Sequence, residues 1–130
     1  STLSSYMKLE GITGNNIELT PAIEEYMRTR IQKLSKIVQN MEPATIRAEV
    51  GEPLSQRGKG ENVFYAELNA TIQDEDFRGH RTDPNVFKAI EKVRVDMYRQ
   101  IIRWKTKGRS EQRKMEVTIK RLSQSDPGQS

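Results

Sequence analysis

Apolar residues recur along this chain in two rhythms, and their order outlines a fold. Residues 6–13 are short and extended, and Gly14-Asn15-Asn16 signals a turn after them. Thr20-Pro21 then opens a helix, since a threonine hydroxyl can cap free N–H groups and proline suits the first helical position. Glu24 and Glu25 follow where the helix dipole favours anions. Ile23, Met27, Ile31, Leu34, Val38 and Met41 recur every three or four residues, which predicts a buried stripe on a helix reaching about Met41, before Pro43. The rhythm then changes to two. Ile46, Ala48 and Val50 alternate with Arg47 and Glu49. Phe64, Ala66, Leu68, Ala70 and Ile72 alternate with Tyr65, Glu67, Asn69 and Thr71. Such patterns mark half-buried antiparallel strands. The polar, glycine-rich residues 51–62 between them read as a flexible loop, and a third strand is expected over 77–81 after the turn Gln73-Asp74-Glu75-Asp76.

Asp83-Pro84 repeats the cap-then-proline signature and opens a second helix expected to run to about Lys107, with Gly108 closing it. At about 100° per residue, Val86, Ile90, Val93, Met97, Ile101 and Trp104 fall within one arc of roughly 80°. Lys88, Lys92, Asp96, Arg99, Arg103 and Lys107 fall within a second arc of roughly 100°. Beyond it, Met115, Val117, Ile119 and Leu122 alternate as a short strand would, and residues 123–130 read as disordered. The expected fold is therefore α+β: a β-α-β-β-β-α two-layer sandwich, with two helices packed on one face of an antiparallel sheet. The expected organisation is a flexible extension over 1–6, one α+β domain over 7–108 and a polar, largely disordered tail over 109–130.

Charge sharpens this outline. The net charge of the chain is +4. Residues 84–109 hold eight basic side chains against two acidic ones, Glu91 and Asp96. Positive charge gathered on one element of a nearly balanced protein points to a polyanion surface. There is no cysteine, so a disulfide framework and a thiolate metal site are both excluded. No apolar run approaches the roughly 20 residues of a membrane span, and residues 1–6 lack the pattern of a signal peptide. These features read as a soluble, cytoplasmic protein with no membrane partner.

Candidate chemistry is sparse. His80 stands without a nucleophile motif and reads as a surface or strand-end histidine. Asp74, Glu75 and Asp76 lack the spacing of a calcium loop. Gly58-Lys59-Gly60 lacks the rest of a Walker pattern, and residues 59–64 match an RNP1 motif poorly. No acid–base pair emerges, so the reading is of a non-enzyme with no catalytic residues, no metal, no cofactor and no small-molecule substrate. Basic side chains on a rigid helix are what phosphate contacts need. Composition and periodicity reach RNA binding and stop there. A general RNA-binding module and a protein-interaction domain using the open sheet face, with Tyr65 exposed, stay open beside it.

Two stretches add a resemblance. Gly11-Ile12-Thr13-Gly14-Asn15-Asn16-Ile17-Glu18-Leu19-Thr20-Pro21-Ala22-Ile23 resembles the opening of the hibernation-promoting-factor and ribosome-associated-inhibitor family, and Lys33-Leu34 lies where that family has its "KL" pair. Asn85-Val86-Phe87-Lys88-Ala89-Ile90-Glu91 and Arg99-Gln100-Ile101 resemble its last helix. The resemblance covers residues 7 to about 107 and is to the short form of the family. It implies binding to the small ribosomal subunit and its 16S-type rRNA, in the channel used by messenger and transfer RNA. It also implies inhibition of translation under stress or in stationary phase, by a protein that is a monomer off the ribosome. With the basic stripe, it nominates Arg30, Lys33, Lys88, Lys92, Arg99, Arg103, Lys105 and Lys107 as rRNA contacts. Asp96 departs from the family, which usually has lysine there. Arg30 falls inside the apolar arc of the first helix, placed to snorkel outward. The tail after Lys107 does not resemble the dimerisation domain of long hibernation factors.

Overall fold

The structure, a computed structural model, describes residues 7–53 and 63–124, with the side chains of 110–112 and 123–124 left aside. Its elements follow the expected order: β1 (Lys8–Asn15), α1 (Pro21–Lys36), β2 (Ala44–Gly51), β3 (Phe64–Ile72), β4 (Glu75–Asp83) and α2 (Val86–Gln124). The chain divides into two compact units, Ser1–Arg99 and Gln100–Ser130, and α2 contributes to both. The extension expected over 1–6, most of the loop expected over 51–62 and the end of the tail lie outside the described residues.

In the first unit the four strands form one sheet in the order β1-β2-β3-β4. The α+β two-layer architecture stands, with one difference in strand direction. β2, β3 and β4 form an antiparallel meander, but β1 pairs with β2 in parallel, so the sheet is mixed rather than wholly antiparallel. The reason is connectivity. β1 reaches β2 through α1, and neighbouring strands joined by a helical crossover run the same way. Alternation of side chains carries no record of direction.

Local chemistry accounts for most boundaries. Thr20 is extended at φ −76° and ψ 158°, and its hydroxyl accepts from Ile23 N–H at 3.2 Å, with Pro21 as the first helical residue. α1 ends at Lys36, a turn and a half short of the expectation, although Val38 is still buried. Gln73 and Asp74 both have positive φ, 51° and 73°, as the two-residue hairpin turn between β3 and β4 requires. That tight turn lets β4 begin at Glu75, two residues before the expected strand. α2 is capped by Asn85 rather than by Asp83-Pro84: the Asn85 side-chain oxygen accepts from Phe87 N–H at 2.8 Å and Lys88 N–H at 3.3 Å. Asp83 in turn accepts from Asn85 N–H at 2.9 Å.

The core lies between sheet and helices. Ile46, Ala48, Val50, Ala66, Leu68, Ala70, Ile72 and Phe77 are buried from the sheet. Ile23, Met27, Ile31 and Leu34 are buried from α1, and Ala89, Ile90, Val93 and Met97 from α2. Each fully buried Leu, Ile, Val or Met contributes about 1.5–3 kcal/mol. Ser35 joins this core because its hydroxyl accepts from Met7 N–H at 2.9 Å. Gly79 lets β4 lie close against α2, since a Cβ there would stand 2.9 Å from Val93 Cγ2.

In the second unit α2 runs without a break through Gly108 to Gln124. The helix end expected at Gly108 and the strand expected across 115–122 are both replaced by helix. Glycine costs a helix only about 1 kcal/mol relative to alanine, and the Lys, Arg, Gln and Glu around it are good helix formers. Ile101 is buried, whereas Met115, Val117, Ile119 and Leu122 are exposed. Among the described residues, no helix is long and apolar enough to cross a membrane.

Candidate nucleic-acid interface

Within the first unit α2 offers a different chemistry on each side. The side carrying Ile90, Val93 and Met97 is buried. The side toward α1 is stapled to it. Phe87 meets Tyr26 edge-on, with centroids 5.2 Å apart, and Glu91 accepts from Arg30 Nε at 2.9 Å. Glu91 also accepts from Arg94 Nη2 at 2.6 Å. Hydrogen bonding from Arg94, resisted by burial and reinforced by Arg30, holds the Glu91 carboxyl below its ordinary value, and the Arg94 guanidinium is raised by the same pairing. Arg30 further lies 3.9 Å over the Tyr26 ring and donates to Thr29 Oγ1 at 3.0 Å.

The side toward β4 holds two more ion pairs. Lys92 Nζ stands 2.7 Å from Asp83 Oδ1, and Asp96 Oδ2 stands 4.0 Å from Arg81 Nη1. The hydrogen bond from Lys92, with that from Asn85 N–H, lowers the Asp83 carboxyl. The outward side presents Lys88 and Arg99, both exposed.

The nominated residues therefore divide. Lys88, Lys92 and Arg99 share one exposed flank of α2, where the basic stripe placed them, although Lys92 also answers Asp83. Lys33 is exposed on α1, one turn along from Arg30. Arg30 itself is drawn into the bridge between the helices and its side chain keeps only 21% of its exposure. In the second unit Arg103 and Lys107 are exposed and Lys105 is half-buried. Sequence reasoning assigned no pairing role to Arg81, Asp83, Glu91 or Arg94. The three-residue spacing of Glu91 and Arg94 was a readable signal. The two pairs to β4 join different elements, whose packing decides them, and left none.

The open face of the sheet is polar and engaged with itself. Tyr65, expected to be exposed there, is only 6% exposed. Its ring lies across Gly51, where a Cβ would stand 2.9 Å from Tyr65 Cε2. Its hydroxyl donates to Glu49 and accepts from Asn15 Nδ2 at 2.9 Å, and its ring stacks on His80 with centroids 5.0 Å apart. Burial, then the bond to Glu49, raises the Tyr65 hydroxyl. Burial also pushes the Glu67 carboxyl up, but hydrogen bonds from Asn69, His80 and Arg78 outweigh it and bring the group down to about 2. A groove of about 380 Å³ beside this cluster is lined by Arg47, Asn69, Thr71 and Arg78 among others. Among the described residues, no three His, Cys, Asp or Glu side chains gather as a metal would need.

Comparison with known proteins adds an independent line. The model of the family described as "Sigma 54 modulation protein / S30EA ribosomal protein" matches residues 11–109. Among solved structures, the Protein Y N-terminal domain of Thermus thermophilus shares the fold with a TM-score of 0.56 at 22% identity, over 75% of this chain and 98% of that one. A ribosomal subunit interface protein from Coxiella burnetii does so with a TM-score of 0.56 at 10% identity, over 77% and 97%. No curated protein matches the chain.

Proposed function

The chain belongs to the Sigma 54 modulation protein / S30EA ribosomal protein family, the one its Gly11–Ile23 stretch resembles, and from that premise we propose that it silences ribosomes by occupying the small subunit. The observation that carries this reading is the exposed basic flank of α2, fixed from behind by a fully buried stripe. A helix so held fixes the spacing of its backbone, so its cations start from set positions when they meet a phosphate backbone. Counterion release from the RNA then supplies affinity that is strong at low salt and fades as salt rises. Lys33, Lys88, Lys92, Arg99, Arg103 and Lys107 are the proposed contacts with 16S-type rRNA, with Lys105 and Arg30 as secondary ones. Docking in the channel of messenger and transfer RNA inhibits translation by exclusion alone, so no bond is made or broken. The setting proposed is the cytoplasm under stress or in stationary phase, with a monomer as the free form.

The test is co-sedimentation of the purified protein with 30S, 50S and 70S particles at low and moderate salt. Recovery with 30S and 70S but not 50S, fading with salt, is the expected result. Replacing Lys88, Arg99 and Arg103 together by Ala should leave folding intact, because all three are exposed, and should abolish recovery at moderate salt. For each cation removed from a phosphate, the slope of log affinity against log salt should fall by about 0.7–0.9. Undiminished binding of that variant refutes the docking surface. Equal affinity for an unrelated structured RNA would show a general RNA-binding module instead.

A further inference from the structure

On the flank of α2 that bears Lys88, Lys92 and Arg99, Asp96 is the acid, and an acid there opposes a polyanion. Its surroundings change that meaning. Arg81 and Asp83 follow Gly79 on the side of β4 that faces α2, since alternate residues of a strand share a face. Asp83 meets Lys92, and Arg81 meets Asp96 one helical turn further on. The strand thus lends the helix a cation where the helix has an acid. Arg81 keeps 48% of its side-chain exposure against 30% for Asp96, so it is the more exposed member of the pair.

We infer that Arg81 is a further phosphate contact of this surface and that Asp96 is the positioning residue that aims it. This rests on the ribosome-binding reading above. A guanidinium carries five N–H donors in a planar fork, so one edge can answer a carboxylate while another meets a phosphate oxygen. An ammonium is a point charge and cannot hold two anions in that fixed arrangement. Stability is a poor reason for the pair: a part-exposed ion pair 4.0 Å apart contributes little to folding. Orientation of a long side chain is a better one. An untethered arginine must surrender its rotamer freedom when RNA binds, and a carboxylate beside it reduces that loss.

The sign of the Asp96 effect separates this role from simple repulsion. Affinity for purified 30S subunits would be measured at two salt concentrations for the wild type, R81A, R81K, D96N and the double variant R81A/D96N. R81A should weaken binding about fivefold to tenfold and lower the salt slope by about one. R81K should recover only part of that loss. D96N should weaken binding about twofold to fivefold while Arg81 is present, and strengthen it or leave it unchanged when Arg81 is absent. Urea midpoints should stay at the wild-type value throughout, which separates aiming from folding. D96N that strengthens binding in both backgrounds, or R81A that binds like the wild type, overturns the inference and leaves the ribosome reading standing. A wild type that fails to bind 30S takes both readings down.

Discussion

Gly79→Ala tests how tightly β4 seats α2. A Cβ at residue 79 would stand 2.9 Å from Val93 Cγ2, 3.2 Å from Met97 Cγ and 3.3 Å from Met97 Sδ. Carbon atoms in good contact are about 3.5–4.0 Å apart, so the neighbours must retreat by roughly half an ångström. Met97 has three flexible bonds and can yield. Val93 is fully buried, and a β-branched side chain in a helix has one favoured rotamer, so its retreat requires the helix to move. Overpacking of this kind costs about 1–3 kcal/mol. Alanine recovers about 0.4–1 kcal/mol by restricting the unfolded chain; from the middle of both ranges, the net loss is about 1.3 kcal/mol. Urea unfolding should show a midpoint lower by about 0.5–1 M with an unchanged slope. Val93→Ala removes the methyl group in the way, so the double variant should cost at least about 1 kcal/mol less than the two single losses added together. An unchanged midpoint for Gly79→Ala, or strict additivity in the double variant, would refute the close seating.

Two further outcomes concern charge. Glu67 has its carboxyl held at about 2 against an ordinary 4.5, so the native state favours the ionised form. The stability it contributes is complete above about pH 4.5 and is lost as pH falls toward 2. Glu67→Gln should cost about 1 kcal/mol at pH 7 after allowance for solvent screening, and its gap to the wild type in urea midpoint should close below pH 4.5. A gap independent of pH would dismiss the cluster around Glu67. Glu91→Ala strips Arg30 and Arg94 of their shared carboxylate. With Glu91 38% exposed, the loss should be about 1 kcal/mol and shrink in high salt, and a salt-independent loss would mean packing rather than charge.

What could be read in advance was whatever is settled within a few residues. Thr20-Pro21 marked the start of α1 because capping is local chemistry, and the two alternating runs became β2 and β3 because burial follows the pleat. Readings failed where distant parts of the chain decide. The direction of β1 depends on where α1 delivers the chain. The burial of Tyr65 depends on Gly51, fourteen residues earlier, lying beneath its ring. The cap of α2 was misplaced locally, since Asn85 directly precedes Val86 and caps the helix while Asp83 accepts from Asn85 N–H and meets Lys92. At Gly108 one unfavourable residue was given more weight than its helix-forming neighbours. The basic flank of α2 was legible because periodicity alone defines it, whereas the partners of its charges were not.

Those partners bear on how the surface should be understood. On the proposed reading, positive residues counted along the sequence overstate how freely they could meet RNA, because the fold already engages some of them. Arg30 and Arg94 converge on Glu91 and tie α1 to α2, and Lys92 ties α2 to β4 through Asp83. The Arg30–Glu91 bridge joins the two helices over their buried core, and on the proposed reading their spacing would decide whether Lys33 on one and Lys88 and Arg99 on the other reach the same stretch of backbone. A structural cation and a contact cation respond differently to salt. Loss of the first destabilises the fold while the salt slope of binding stays the same, whereas loss of the second lowers the slope and leaves the fold alone. On the proposed reading, specificity would arise from the spacing between charges set on packed elements, since phosphates carry no sequence to read. The pairs that Lys92 and Asp96 make with β4 are where the fold itself meets the basic stripe, and on the proposed reading they bear on how its charges are presented.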